Sequence, residues 1–511
     1  MSFKVLFVYP NIGTHISFSP AIQILSAVLK REGYETALLH LHNEHGTKNE
    51  RNEINKVIQK EKPDLIGFTS TSFEYDEADK ITGNIKQDFP DIPVILGGVH
   101  ATIMQSDLEK SNFDAFCIGE GEWNLLELIK KMEKGEDYTN TPSFFFKSKD
   151  KVIKNKLKPI VENMDNLPFY DMEIMDTKKI LELRNKWLSI GFSRGCPYDC
   201  SFCINPLLRK IKVGDDAKRY LRKRNVENVI SELESIVKKY KDYVEVFNFD
   251  DDLLMLDQPW MMDYIKEYKQ RIFDKHGIEY AINARVNTMQ DEMIEGMSKS
   301  GCREIRIGFE TGDPEQRKNI LNKPISDEQL INAFDTCHKY NIRASAFSML
   351  GIPGESHETI QKTLKLLARL KPYLIRMTFL FPYYHTAIHD HCKDNNLFRK
   401  NWMEVDEFTV SPLKFDKLTD DEILKYKHMF PWYLNTVMLP ESNAKQYKKL
   451  IEQFLPMSFE EFKNAKDKIL EQDEKVSKEM SEIPHYRYFR NNLYYYQLLS
   501  PEIKQGGEES D

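Results

Sequence analysis

The sequence predicts an α/β protein built as a parallel sheet, then a partial (β/α)6 barrel, then a mainly helical C-terminal region. Two observations carry that reading. Short apolar runs alternate with helical periodicity over residues 1–135 and again over 186–395, and the alternation gives way to helical patterns over 396–511. The stretch 136–185 is looser and reads as a linker. A chain of 511 residues exceeds one ordinary core, and its 41% hydrophobic content supports packed structure. The net charge of −8 gives no footing for a general nucleic-acid or anionic-membrane surface, and no apolar run reaches transmembrane length. Small molecules or peptides are the expected substrates. The start leads straight into a strand pattern rather than a signal peptide, and Cys117, Cys302, Cys337 and Cys392 are scattered without pairing spacing. A reducing, cytoplasmic setting is expected.

In the first region, Val5 to Tyr9 is an apolar run ended by Pro10, as a buried parallel strand would be. Ser19 stands at an N-cap position ahead of Pro20, and Ala21, Ile24, Leu25, Val28 and Leu29 recur with helical spacing. Further strands are expected at 36–39, 65–69, 94–97 and 115–118, with a last helix at 123–132. Five strands in this alternation make a flavodoxin/Rossmann-like sheet, which binds ligands beyond the carboxyl ends of its strands. Those ends carry Thr69 and Ser70, then Gly97, Gly98 and His100, then Gly119 and Gly121. Small residues leave clearance for a flat, bulky cofactor, and flavin, nucleotide and cobalamin all meet that description. Glycine pairs also serve as turn formers, and His100 also reads as a polar loop residue. In the linker, the aromatic run 144–146 and a polar turn after it suggest a hairpin.

In the second region, strands are expected at 187–193, 244–249, 280–285, 304–310, 344–349 and 374–378. Six such units imply the partial barrel, whose chemistry sits at the carboxyl ends of the strands. There the chain places a cysteine loop, the run Asp250, Asp251 and Asp252, then Arg285, Glu310, Gly351 and Pro353. Cys196, Cys200 and Cys203 are spaced C-x3-C-x2-C. Three thiolates on one loop can ligate three irons of a four-iron cluster and leave the fourth open. Structural zinc would need a fourth protein ligand and usually takes C-x2-C pairs. The aspartate run reads as a capping loop rather than a magnesium site, Arg285 could neutralise a ligand carboxylate or serve its neighbours, and Glu310 could pair with Arg303 or Arg306. Helices are expected at 420–429, 444–454 and 459–480. The aromatic block at 486–499 reads as an amphipathic helix docking on the barrel, with cavity lining as the alternative, and 506–511 as a disordered tail.

The cysteine loop, with Phe202 just before its third cysteine, resembles the cluster motif of the radical S-adenosylmethionine enzymes. In that family the open iron binds the amino and carboxylate groups of S-adenosylmethionine, and electron transfer from the cluster cleaves it to a 5'-deoxyadenosyl radical. The words at 308–312 and 350–355 resemble the family elements that reach the ribose or amino group and the adenine. The resemblance thus implies contacts at Phe202, Glu310, Gly351 and Pro353. The words at 63–69, 92–100 and 118–122 resemble the cobalamin-binding domain that precedes the barrel in many such enzymes, over about the first quarter of the chain. They imply cobalamin contacts at Thr69, Ser70, Gly97, Gly98, His100, Gly119 and Gly121. The D-x-H-x-x-G signature of a lower cobalt ligand is absent, and His40, His42 and His45 are read as loop residues.

The implied cofactors are a [4Fe-4S] cluster, S-adenosyl-L-methionine and cobalamin, with an electron donor such as flavodoxin or ferredoxin as partner. The implied activity is a cobalamin-dependent radical methylation of an unactivated carbon. Non-methylating relatives, such as the anaerobic magnesium-protoporphyrin monomethyl ester cyclase, and a non-catalytic cobalamin- or redox-sensing module are the alternatives. With cluster and corrinoid on separate domains, a Cys200→Ala variant is expected to lose the cluster and keep cobalamin.

Overall fold

A computed structural model describes residues 3–12, 15–149, 151–214, 216–404, 410–481, 488–492 and 495–499. The first region alternates β1 (Lys4–Pro10), α1 (Pro20–Arg31), β2 (Glu35–Leu41), α2 (Arg51–Glu61), β3 (Leu65–Thr69), α3 (Tyr75–Asp88), β4 (Val94–Gly97), α4 (Val99–Ile103), β5 (Ala115–Cys117) and α5 (Glu122–Glu133). The strand order is β2-β1-β3-β4-β5, all parallel, so the topology switches between β1 and β3. The pleat of β1 explains its unbroken apolar run. Val5 and Phe7 enter a core shared with α1 and α5, whereas Leu6 and Val8 enter the opposite core against α2 and α3. Ser19 occupies the N-cap of α1 without a side-chain capping bond; its amide instead donates to the Met175 sulfur at 3.4 Å.

The expected hairpin is β6 (Phe144–Ser148) and β7 (Lys151–Lys154), and it completes the first sheet by pairing antiparallel to β5. Its aromatic run alternates as a strand must, Phe144 and Phe146 to one core and Phe145 to the other. The chain then crosses through α6 (Thr177–Leu183) into the second region.

That region comprises β8 (Trp187–Ile190), β9 (Ser193–Arg194), α7 (Asn205–Val213), α8 (Ala217–Tyr220), β10 (Arg222–Lys223), α9 (Val226–Tyr240), β11 (Val246–Phe249), α10 (Gln258–Tyr268), α11 (Asp274–His276), β12 (Glu279–Ala284), α12 (Asp291–Lys299), β13 (Cys302–Glu310), α13 (Asp327–Lys339), β14 (Arg343–Leu350), α14 (His357–Leu370), β15 (Leu374–Phe379) and α15 (Ala387–Asp394). Strands β8, β11, β12, β13, β14 and β15 lie side by side and parallel, the six-unit partial barrel. The expected first strand, 187–193, breaks at Gly191. Its end, β9, turns away to pair with β10 and carries the cysteine loop off the sheet.

The last region is α16 (Asp420–Met438), α17 (Glu441–Phe454), α18 (Phe459–Asn464), α19 (Lys466–Ser481), β16 (Tyr488–Asn492) and β17 (Tyr495–Leu499). Two expectations are corrected here. The helix expected at 459–480 is two helices that meet at Ala465, buried in the same apolar cluster as Phe462 and Ile469. The aromatic block is a hairpin rather than a helix: β17 adds antiparallel to β15 and closes the barrel edge, with β16 outside it. Aromatic residues favour strands, and β15 offered an unpaired edge. Residues 506–511 lie outside the described residues, as do 486, 487, 493 and 494 of the aromatic block. Among the described residues no helix is long and apolar enough to cross a membrane.

Candidate functional site

The cysteine loop begins where no side chain fits. Gly195 adopts φ +94°, and a Cβ there would lie 2.6 Å from the Tyr220 carbonyl oxygen. The loop beyond it is fixed at several points. The Gly195 amide donates to Asp252 at 3.3 Å, the Ser201 amide to the Leu321 carbonyl at 2.9 Å, and Asn322 to the Asp199 carbonyl at 2.7 Å. Arg209 donates to the Pro197 carbonyl at 3.1 Å and to Asp199 at 2.5 Å.

Each of the three sulfurs meets an N–H donor, Cys196 that of the Tyr198 backbone. Arg285 Nη1 donates to Cys200 Sγ at 3.4 Å, and the Asn205 amide donates to Cys203 Sγ at 3.5 Å. Such bonds suit a ligating thiolate. Burial pushes the Cys196 thiol up and the Cys203 thiol up to about 11. Bonding to a metal ionises such thiols. Among the described residues no three His, Cys, Asp or Glu side chains gather around a single metal ion. A cubane asks for something else, since each of its thiolates binds a different iron. The aspartate run accepts backbone and side-chain bonds. Asp251 takes the amides of Phe192 and Ser193, and Asp252 takes Asn205 at 2.9 Å.

The residues ascribed to S-adenosylmethionine stand around the barrel mouth. Phe202 is half-buried against an apolar cluster that includes Met349, Ile352 and Leu380. Glu310 ends β13 at φ +66°, beside a register shift against β14. A non-glycine residue held there costs about 1–3 kcal/mol, an outlay typical of functional sites. Its ion pair is with Lys323, at 2.6 Å, and not with either arginine considered from sequence. Arg306 donates to Asn248 and Arg303 lies 3.5 Å from Glu279. Gly308 leaves the room for this pair, since a Cβ there would meet the Lys323 ammonium at 2.4 Å. Gly351 has φ +77° and Pro353 is buried. Arg285 stacks over the Tyr198 ring at 3.9 Å, so it serves the cysteine loop from two sides.

Glu355 closes the Gly351 turn by accepting from the Gly351 amide at 3.1 Å. Burial pushes its carboxyl up to about 7, from 4.5. A raised acid favours the fold while protonated, so its contribution is full below about pH 4.5 and lost as pH rises through about 7. Glu355→Gln should therefore gain stability relative to the wild type between pH 5 and 8, by up to about 3 kcal/mol, in parallel denaturant melts.

The residues ascribed to cobalamin divide. Thr69, Gly97, Gly98, Gly119 and Gly121 line one cavity of about 480 Å³. Gly98 has φ +95°, and a Cβ there would press on the Ser70 carbonyl at 2.9 Å. Thr102 ties the two glycine loops together: its hydroxyl donates to the Gly98 carbonyl at 2.9 Å and accepts from the Gly119 amide at 3.0 Å. Ser70 and His100 do not line the cavity. The His100 ring stacks on Tyr75 at 3.7 Å, with Nδ1 3.2 Å from the Ser72 hydroxyl and Nε2 3.4 Å from Asp107. Burial pushes its pKa down to about 4 and so keeps it neutral. His40 contacts Asn11 and Tyr9, and His42 stacks on His45.

The cavity is not confined to the first domain. Inward it reaches Phe7, Ile95, Leu125 and Phe144 beneath α1 and α5; outward it is walled by Arg194, Gly195, Asn205, Lys212, Tyr220 and Arg222 of the barrel. Of the cysteine loop only Gly195 lines it, with Ile204 and Asn205 just beyond the third cysteine; Cys196, Cys200 and Cys203 do not. The cavity thus joins a glycine edge to an apolar recess.

Sequence reasoning missed the seam between the domains. Glu120 accepts from both Arg222 Nη atoms at 2.9 and 2.7 Å and from the Val161 amide at 2.8 Å, and Arg194 pairs with Glu122. Burial opposes ionisation of Glu120, but Arg222, Arg194 and Lys212 together hold its carboxyl down to about 2. The only sequence signal was the alternation of two glycines with two glutamates at 119–122.

Comparison with known proteins meets this geometry at both ends. Residues 190–367 match the radical SAM superfamily and residues 15–129 match the B12 binding domain. An uncharacterized methyltransferase of Pyrococcus horikoshii is 28% identical over 396 residues, 76% of this chain and 82% of that one. The anaerobic magnesium-protoporphyrin IX monomethyl ester cyclase of Rubrivivax gelatinosus is 26% identical over 399 residues, 74% of this chain and 68% of that one. The structure of the radical S-adenosylmethionine methyltransferase TsrM from Kitasatospora setae, with cobalamin and a [4Fe-4S] cluster bound, shares the fold. Its TM-score is 0.68 at 16% identity, over 94% of this chain and all of that one.

Proposed function

The chain belongs to the cobalamin-binding radical S-adenosylmethionine enzymes, and from that premise we propose that it is a C-methyltransferase acting on an unactivated carbon of a small-molecule or peptide substrate. Cys196, Cys200 and Cys203 would hold the cluster. Phe202, Glu310, Gly351 and Pro353 would hold S-adenosylmethionine, and Thr69, Gly97, Gly98, Gly119 and Gly121 the corrinoid. When bound, the cluster with S-adenosylmethionine supplies a hydrogen-abstracting radical and cobalamin supplies a transferable methyl group.

The protein's part is placement and exclusion of water. The Glu310–Lys323 pair is set in advance beside the bulge of β13, and the Glu120–Arg222 and Glu122–Arg194 pairs seal the seam between the domains. The observation that carries the reading is the shared cavity. Gly195 at the start of the cysteine loop and Asn205 just after it line the same space as the glycine edge, so a radical source and a methyl donor would be neighbours.

A flavodoxin- or ferredoxin-type reductant and a cytoplasmic setting belong to this proposal, supported by seven free cysteines. So do the domain limits 1–135, 186–395 and 396–511 about a linker at 136–185, with the hairpin of β6 and β7 moved to the first domain, whose sheet it completes. The test is anaerobic reconstitution with both cofactors and a reductant, followed by mass spectrometry of metabolites consumed. A product heavier by one methylene unit, with 5'-deoxyadenosine and S-adenosylhomocysteine, is the expected result. Loss of hydrogens or gain of oxygen would favour a cyclase instead, the reading that the Rubrivivax relative supports. Absence of both nucleoside products would favour a sensing module.

A further inference from the structure

One wall of the interdomain cavity collects five charges. Glu120 comes from the loop before α5, Glu122 from the first residue of α5, Arg194 from β9, Lys212 from α7 and Arg222 from β10. The two arginines are committed. Arg222 spends its fork on Glu120, on the Val161 carbonyl at 2.7 Å and on the Tyr220 carbonyl at 3.2 Å; Arg194 is held by Glu122 and lies 3.5 Å from Glu120. Lys212 is different. Its nearest carboxylate oxygen is on Glu120 at 3.8 Å, beyond hydrogen-bond reach, and among the described residues no hydrogen bond reaches its ammonium. Its side chain is only 15% exposed, and it lines the cavity.

The charges that weigh on Lys212 are Glu120, Arg194, Arg222 and Glu122, and burial pushes its pKa down. Asp250, Asp251 and Asp252 line the same cavity, but Asp251 and Asp252 accept bonds from Phe192, Ser193, Gly195 and Asn205, so within the seam Lys212 is the cation that neither glutamate bonds. A buried ammonium without an acceptor is costly, and a ligand anion within reach would remove that cost. The ligand must also suit the recess formed by Phe7, Ile95, Leu125 and Phe144, which admits an apolar ring. Resting on the reading of this cavity as the corrinoid site, we propose that Lys212 binds the phosphodiester that joins the corrin ring of cobalamin to its nucleotide base. The barrel would then hold the cofactor by its tail as the first domain holds it by its ring.

The test is equilibrium binding of hydroxocobalamin and of cobinamide, which lacks phosphodiester and base, read by the corrin absorbance without turnover. Wild type should prefer hydroxocobalamin, and added salt should weaken that ligand more than cobinamide. Lys212→Met should weaken hydroxocobalamin about tenfold or more and leave cobinamide unchanged, whereas Lys212→Arg should keep the preference. Unchanged cobinamide binding also shows that the variant is folded. Equal weakening of both ligands by Lys212→Met, no weakening of either, or equal salt dependence in the wild type would overturn the assignment to Lys212. Wild-type protein that binds neither corrinoid would overturn the corrinoid reading itself, a distinct failure.

Discussion

Cys200→Ala should abolish cluster assembly and lower 5'-deoxyadenosine formation on the order of 10³-fold or more, because two thiolates cannot hold a site-differentiated four-iron cluster. Cys200 is the most buried of the three loop cysteines, and Arg285 donates to its sulfur at 3.4 Å. Iron analysis and the brown absorbance read the first effect, and product chromatography the second. Corrinoid affinity is the more informative measurement. Gly195 and Asn205 wall the shared cavity, so a loop without its cluster should bind hydroxocobalamin several-fold more weakly. A variant with wild-type corrinoid affinity would show that the loop keeps its shape without the cluster. A variant that retains iron and 5'-deoxyadenosine production would sink the cluster assignment.

Arg222→Met should destabilise the protein by about 3 kcal/mol, at the lower end of the cost of breaking a buried ion pair. Arg222 and Glu120 are 5% and 7% exposed, so solvent screens them little, but Arg194 and Lys212 remain beside the orphaned carboxylate and soften the loss. The pH dependence identifies the cause. Glu120 is held down to about 2 in the fold, from 4.5, so its stabilisation is full above about pH 4.5 and is lost as pH falls through about 2. The gap between wild type and Arg222→Met in denaturant melts should thus narrow below pH 4.5. A gap that stays constant across that range would mean that Arg222 acts by packing alone. A Glu120→Gln partner variant completes the double-mutant cycle, with an expected coupling of at least about 1 kcal/mol.

What the sequence by itself determined is what local pattern can encode. Apolar runs of strand length located the parallel strands of both sheets to within two or three residues, because a buried strand must be apolar along its whole length. The spacing of Cys196, Cys200 and Cys203 placed three thiols on one loop, and glycine marked the turns at Gly98, Gly195 and Gly351 that no other residue adopts cheaply. These signals are local and survive without knowing what packs against them.

The tertiary structure decided everything that depends on a distant partner. Glu310 pairs with Lys323 across a loop and π-helical turn, a contact no periodicity foretells. His100 looked like a ligand beside its diglycine, yet it turns to Tyr75 because α3 packs there. The aromatic block became a hairpin because the edge of β15 was open to it. Above all, the seam of Glu120, Glu122, Arg194, Lys212 and Arg222 joins residues as many as 102 positions apart, and it walls a cavity that both domains line. Charges in a sequence read as solvated surface until a second domain buries them. Only then must each find its counter-charge, and Lys212, 3.8 Å from Glu120, lines the cavity without a hydrogen bond to either glutamate.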